Sequence, residues 1–207
     1  MTDHYVGLDL GKKRDFTAVA VLEKATEARD PPPGARRPHE VDVYTLTYLD
    51  RVRQESYERV VDAVVGLLQT PPLTPGTLLA VDETGVGGAV TDMLRARDLS
   101  PRAVAITGGT AVGKDGANYR IPKRDLTTVV TLLLEGRRLK IPRSLPLADT
   151  LVQELHNFRV TISPLGHDAY GVGGEWREGA HDDCVLAVAL AAWFGENVGD
   201  DAPLLSW

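Results

Sequence analysis

Hydrophobic and polar positions fall into short blocks whose period changes along the chain. Tyr5-Val6-Gly7-Leu8-Asp9-Leu10 is an apolar run holding one carboxylate and closed by Gly11, and 16–23 alternates with many valines and alanines. Short apolar runs bounded by turn residues predict buried strands, here two of them joined by the tight turn 11–15. Residues 41–49 alternate valine, tyrosine and leucine with polar neighbours, which predicts a third strand with one wet face. Between the second and third strands, 27–40 contains Pro31-Pro32-Pro33-Gly34. Consecutive prolines cannot donate to a sheet ladder, so a mobile loop is expected there.

The period then becomes helical. Val60, Val61, Val64, Val65 and Leu68 share one face over 55–69, and Pro71-Pro72 ends the element. The continuous apolar run 77–83 predicts a fourth strand buried on both faces. A glycine-rich turn at 84–88 leads to a helix over 89–97 and a fifth strand over 102–107. Residues 108–121 are polar and glycine-rich, a loop or hairpin. Leu126, Val129, Val130, Leu133 and Leu134 mark a helix over 122–138, and 139–142 is briefly extended. Leu147, Leu151, Leu155 and Phe158 line one face of another helix, with a hairpin expected from 159–163 and 169–172. The segment 182–194 is apolar nearly all round, which predicts a buried helix, and 195–207 is a short tail. Three antiparallel strands followed by alternating helices and strands predict a single α/β domain, a mixed sheet with helices on both faces.

Composition narrows the function. Cys184 is the only cysteine, so disulfides within the chain are excluded, a cysteine-based zinc site is disfavoured, and the thiol is expected in the core of the last helix. No apolar run approaches the roughly 20 residues of a membrane helix, and 1–4 has no signal-peptide character, so an intracellular protein away from membranes is expected. A net charge of −6 argues against a protein that coats nucleic acid by bulk charge. It leaves room for a nucleic-acid enzyme with local basic patches and an acidic metal site.

The carboxylates are placed for such a site. Asp9 lies in the first strand, Asp82-Glu83 ends the fourth, and Asp182-Asp183 opens the last helix. Ionised carboxylates are seldom buried without a partner. Three acidic points, each at the end of a core element, predict a shared metal site. Converging carboxylates hold two divalent ions about 3.5–4 Å apart in phosphodiester hydrolysis, and such hard oxygen ligands suit Mg2+ or Mn2+. The helix N-terminus favours anionic Asp182 or Asp183. The site requires the first and fourth strands to be neighbours, and a one-residue slip in register would substitute Glu83 for Asp82. His181 either caps the last helix or orients a ligand. Lys12, Lys13 and Arg14 follow Asp9, and Arg120, Lys123 and Arg124 form a second basic group, as phosphate contacts require. Arg137, Arg138, Lys140 and Arg143 read equally well as a solvated face. Gly108 to Lys114 has the spacing of a phosphate-binding loop, but Asp115 stands where a Ser or Thr should bind magnesium, so the match is coincidental.

Gly7-Leu8-Asp9, Asp82-Glu83-Thr84-Gly85-Val86-Gly87, Pro122-Lys123-Arg124-Asp125-Leu126, Glu135-Gly136-Arg137-Arg138-Leu139, Glu154-Leu155 and His181-Asp182-Asp183 occur in this order. Together they resemble the nuclease domain of tailed-phage terminase large subunits, a ribonuclease H-like fold. The resemblance runs from Tyr5 to Trp193. It implies metal-dependent cleavage of double-stranded DNA during genome packaging, in the cytoplasm of a bacterial host. By position it makes Asp9, Asp82 and Asp183 the metal-binding triad, with Asp182 adjacent, and it brings Asp15 toward the site. It also implies a packaging ATPase domain or protein and a portal as partners; no segment of this chain supplies the ATPase. Two other readings come from different classes. Gly7-Leu8-Asp9-Leu10-Gly11 and 82–87 also resemble the phosphate loops of the actin and sugar-kinase class, which needs a longer chain and leaves His181-Asp182-Asp183 unused. A non-catalytic packaging module would keep the fold without needing the acids. A resolvase-like nuclease would differ in substrate, not in chemistry.

Overall fold

The computed structural model describes residues 3–11, 15–31, 37–53, 55–73, 76–85, 87–161 and 182–198. The strands are β1 (Asp3–Asp9), β2 (Phe16–Arg29), β3 (His39–Arg53), β4 (Leu78–Asp82), β5 (Arg102–Thr107), β6 (Gly113–Asp115), β7 (Asn118–Pro122) and β8 (Leu139–Lys140). The helices are α1 (Tyr57–Leu68), α2 (Gly87–Arg95), α3 (Lys123–Glu135), α4 (Ala148–Thr161) and α5 (Asp183–Asn197). All eight described strands share one sheet in the order β6-β7-β5-β4-β1-β2-β3-β8. β1, β2 and β3 are antiparallel neighbours, while β4 lies parallel to β1 on its other side, with Tyr5 opposite Leu78 and Leu8 opposite Val81. This is the mixed α/β sheet, antiparallel over its first three strands and parallel through β4 and β5, with helices on both faces, that the sequence predicts. Among the described residues, no helix is long and apolar enough to cross a membrane.

Three segments differ from expectation, and a fourth, 108–121, takes one of its two expected forms. The β2–β3 ladder runs out to Arg29 opposite His39, so 27–29 and 39–40 are strand where a loop was expected; 32–36 lie outside the described residues. The flanks gain partners: Thr26 donates to Asp42, and Arg29 donates to the carbonyls of Gly136 and Arg137 at the end of α3. In 108–121 the hairpin is the form taken: β6 and β7 pair antiparallel, and β7 also joins the sheet parallel to β5. Lys114 therefore sits in a strand over the ring of Tyr119, with no helix after it, which removes the phosphate-loop match. α4 continues to Thr161, so 159–161 is helical where a strand was expected; the remainder of that hairpin, 162–172, lies outside the described residues. α5 continues through Gly195 to Asn197, where the tail was expected to begin. Tertiary contacts override the glycine there: Lys24 donates to the Gly195 carbonyl, and Glu196 accepts from Tyr44 Oη and Arg138.

Side chains alternate across a strand, and the sheet accordingly separates two apolar layers. Val6, Leu8, Leu79 and Val81 meet α1 and α2 on one face. Tyr5, Ala20, Leu78 and Ala80 meet α3, α4 and α5 on the other. By this parity Gly7 and Asp9 of β1 and Asp82 of β4 face α5. Every residue of α5 from 183 to 195 is buried, as its all-round apolar sequence predicts. Helix and strand touch backbone to backbone: a Cβ on Gly7 would lie 1.9 Å from the Ala187 carbonyl oxygen and 3.0 Å from the Ala191 amide nitrogen.

That contact makes Gly7→Ala a severe change, because backbone must move to admit one methyl group. A loss of about 3 kcal/mol or more is expected, a fall in melting temperature of roughly 6–12 °C for a chain of this size. Gly66→Ala, in α1, adds the same methyl where no atom lies within 4 Å and should instead stabilise by up to about 1 kcal/mol. Thermal melts of the two variants check both signs.

Candidate functional site

Because β1 and β4 are parallel, their carboxyl ends lie at the same edge of the sheet, so Asp9 and Asp82 close adjacent strands on the same face. α5 lies back along β1: Gly195 meets Lys24, which pairs with Asp3, while Ala187 meets Gly7. From 183 to 195 a helix rises about 18 Å, close to the roughly 20 Å that a strand spans from 3 to 9. One turn before Ala187, Asp183 therefore arrives where Asp9 is, two residues beyond Gly7. Asp9, Asp82 and Asp183 are 6%, 8% and 7% exposed. Three carboxylates on three elements are thus gathered in the interior.

Their charges act on one another. Burial is the largest effect on Asp9 and raises its carboxyl well above the ordinary 3.8; the charges of Asp82, Asp183 and Asp182, in that order, raise it further, as does a hydrogen bond shared with Asp82. Two carboxylates so close cannot both ionise readily unless a cation lies between them.

The turn after β4 fixes Asp82. The Thr84 amide donates to Asp82 Oδ1 at 2.8 Å, and Thr84 Oγ1 accepts from the Ile106 amide at 3.0 Å. Gly85 has φ +81°, and a Cβ on Gly87 would lie 2.0 Å from the Asp82 carbonyl oxygen. Both glycines therefore have a backbone reason to be there. Glu83 points the other way, its Oε1 3.7 Å from where a Gly88 Cβ would stand at the start of α2. The register brings Asp82, not Glu83, to Asp9.

Asp182 precedes α5, makes no side-chain cap bond, and instead accepts from Lys123 Nζ at 2.8 Å. Lys123, the first residue of α3, thus stands at the rim of the acidic cluster. Arg124 lies beside it, exposed, donating to the Thr110 carbonyl. Asp15 is exposed and is not among the acids that act most on Asp9. Lys12, Lys13, Arg14 and His181 lie outside the described residues. Cys184 is buried, and burial first, then Glu154, pushes its thiol up to about 12, so it is an inert core residue.

Sequence reasoning passed over Glu154 as a site residue. This α4 side chain is buried under the first turn of α5, where Oε2 accepts from the amides of Cys184 (2.9 Å) and Val185 (3.2 Å) and Oε1 from Arg51 (2.8 Å). Burial raises its carboxyl, which those amides and Arg51 partly oppose. The available signal was the pair Glu154-Leu155: a glutamate breaking the apolar side of a helix.

Among the described residues, no three acidic, imidazole or thiol groups form a closed metal cage as they stand. Protein donors hold part of the set, Thr84 on Asp82 and Lys123 on Asp182. The chemistry of the set nevertheless fits a hard divalent cation: oxygen donors only, in excess of nearby positive charge, with Asp9 held against Asp82 at an energetic cost.

The sign of that cost is testable. A carboxyl raised in the folded state costs no stability below the ordinary 3.8; the penalty grows as pH rises past that value and levels off above the folded-state pKa. Asp9→Asn keeps a donor toward Asp82 and removes the charge. In metal-free buffer it should melt above the wild type near pH 7, by a margin that shrinks as pH falls toward 4.

No family model matches the chain, and no curated protein does. Among solved structures it is similar to the crystal structure of the large terminase nuclease from thermophilic phage G20c, with a TM-score of 0.53 and 22% identity, covering 94% of this chain and 82% of that one. At that identity the likeness establishes the fold, over almost the whole chain.

Proposed function

We propose that this chain is a divalent-metal-dependent endonuclease of the large-terminase type, cutting double-stranded DNA with little sequence preference. The observation that carries the reading is the burial of Asp9 beside Asp82 and Asp183 at one end of the sheet, where burial first and then the charges of Asp82 and Asp183 raise the carboxyl of Asp9. A fold does not dictate a chemistry, and the site is where perturbed acids gather. Likeness to a phage large terminase nuclease points the same way.

In this reading Asp9, Asp82 and Asp183 hold two Mg2+ or Mn2+ ions, with Asp182 an added ligand or a partner to one. Such ions supply an activated water and positive charge for the departing oxygen. The chain's own part is to fix the donors. Thr84 orients Asp82, the buried first turn of α5 presents Asp183, and the close contact at Gly7 sets the distance between helix and strand. Lys123 and Arg124 at the rim, with Lys12, Lys13 and Arg14 after β1, would take DNA phosphates without reading bases. On a chain of net charge −6, that rim is where a polyanion can approach. A packaging ATPase, in the same polypeptide or separate, and a portal would be its partners in the cytoplasm of an infected bacterium. The ATP-binding reading gives Asp183 and its pressure on Asp9 no role.

Cleavage of supercoiled plasmid in Mn2+, Mg2+ or EDTA tests this directly. The wild type should nick or linearise the plasmid with either metal and not in EDTA. Asp9→Asn and Asp183→Asn should each lose more than the roughly 10- to 100-fold that follows removal of an outer metal-site partner. Cleavage that persists in EDTA, or full activity in both variants, would contradict the proposal.

A further inference from the structure

We propose that Glu154 is a positioning residue for the acidic site: it fixes the first turn of α5, and through it Asp183, without holding a cation itself. The inference rests on the metal site proposed above.

The first amides of a helix have no intrahelical acceptor. In α5 the first internal bond is from the Leu186 amide to the Asp182 carbonyl, which leaves the amides of Asp183, Cys184 and Val185 for other acceptors. A side chain at the N-cap usually serves, but the carboxylate of Asp182 is turned to Lys123. Glu154, 5% exposed and 30 residues earlier in the chain, takes two of the three. Its negative charge also suits the positive end of the helix. Its second oxygen is held by Arg51 of β3, whose guanidinium stacks 4.0 Å from the centre of the Phe16 ring at the start of β2. One carboxylate therefore ties α4, the β2–β3 ribbon and the tip of α5 together.

The same bonds argue against a ligand role. Both oxygens of Glu154 already face protein donors, and its charge is not among those that weigh most on Asp9. A metal site tolerates only about 0.5 Å of misplacement in its ligands, and Asp183 directly precedes the two amides that Glu154 holds. Loss of that hold should loosen the ligand while the rest of the buried helix stays packed.

The test uses the full chain and two readouts: amide hydrogen exchange at Cys184 and Val185, and the Mn2+ dissociation constant by calorimetry. Glu154→Ala should speed exchange at both amides about 10-fold or more relative to 188–194, and weaken Mn2+ binding about 10- to 100-fold, as loss of an outer-shell partner does. Glu154→Gln keeps an acceptor oxygen and should recover most of both. Leu151→Ala, a core change one turn earlier on α4, should lower the melting temperature while leaving both readouts near wild type. If the alanine variant does not fold, Glu154→Asp, which withdraws the oxygens by one methylene, should show a several-fold loss in each. Wild-type exchange and Mn2+ affinity in Glu154→Ala, or equal losses in Leu151→Ala, would overturn the inference alone. Absence of Mn2+ binding by the wild type, or binding indifferent to Asp183→Asn, would overturn the metal site and this inference with it.

Discussion

The backbone of α5 rests on β1 at Gly7 with no side chain between them, and the rest of the structure is arranged around that contact. Any residue larger than glycine there would meet the Ala187 carbonyl. The close approach lets a helix of small and apolar residues bury every position from 183 to 195 across the sheet. It also settles where that helix begins. Since α5 runs back along β1, its first turn can only come to the end of the strand, where Asp9 and Asp82 already lie side by side. The packing and the gathering of the three carboxylates are thus fixed by the same pair of backbone segments.

What arrives there is unfavourable for the fold taken alone. Burying one ionised carboxylate is costly, and burying three that repel one another more so. Part of the cost is offset around the edge, by Lys123 on Asp182 and by Arg51 on Glu154. The centre is relieved by protonation: Asp9 keeps its proton far more readily than an exposed acid does. Such an arrangement weakens the metal-free protein; in the function proposed here a cation would replace the proton. Structure kept at the expense of stability is a sign of function.

The strands and the acids were legible from the chain because the two signals coincide. Apolar runs at 5–10 and 77–83 and the apolar helix after 182 announced buried elements, and a carboxylate at the end of each announced a shared site. The choice between Asp82 and Glu83 needed the sheet, since alternation decides which of two neighbours faces α5. Glu154 was hidden for a different reason. Its partners are backbone amides, which carry no sequence signature, and its third partner Arg51 is 103 residues away. The β2–β3 ribbon and the end of α5 were read too short because prolines and a glycine are strong local signals, while the contacts that outweigh them join distant segments. The parallel entry of β7 beside β5 likewise depends on pairing that local composition does not encode.

Whether Asp9, Asp82 and Asp183 form a cation site is tested most directly by anomalous scattering. Crystals grown in Mn2+ should show anomalous density between these three carboxylates, as two peaks about 3.5–4 Å apart, with Asp9 ionised and Lys123 withdrawn from Asp182 if that residue joins the ligands. Density elsewhere on the protein, or an Asp9–Asp82 pair still sharing its proton at saturating Mn2+, would contradict such a site.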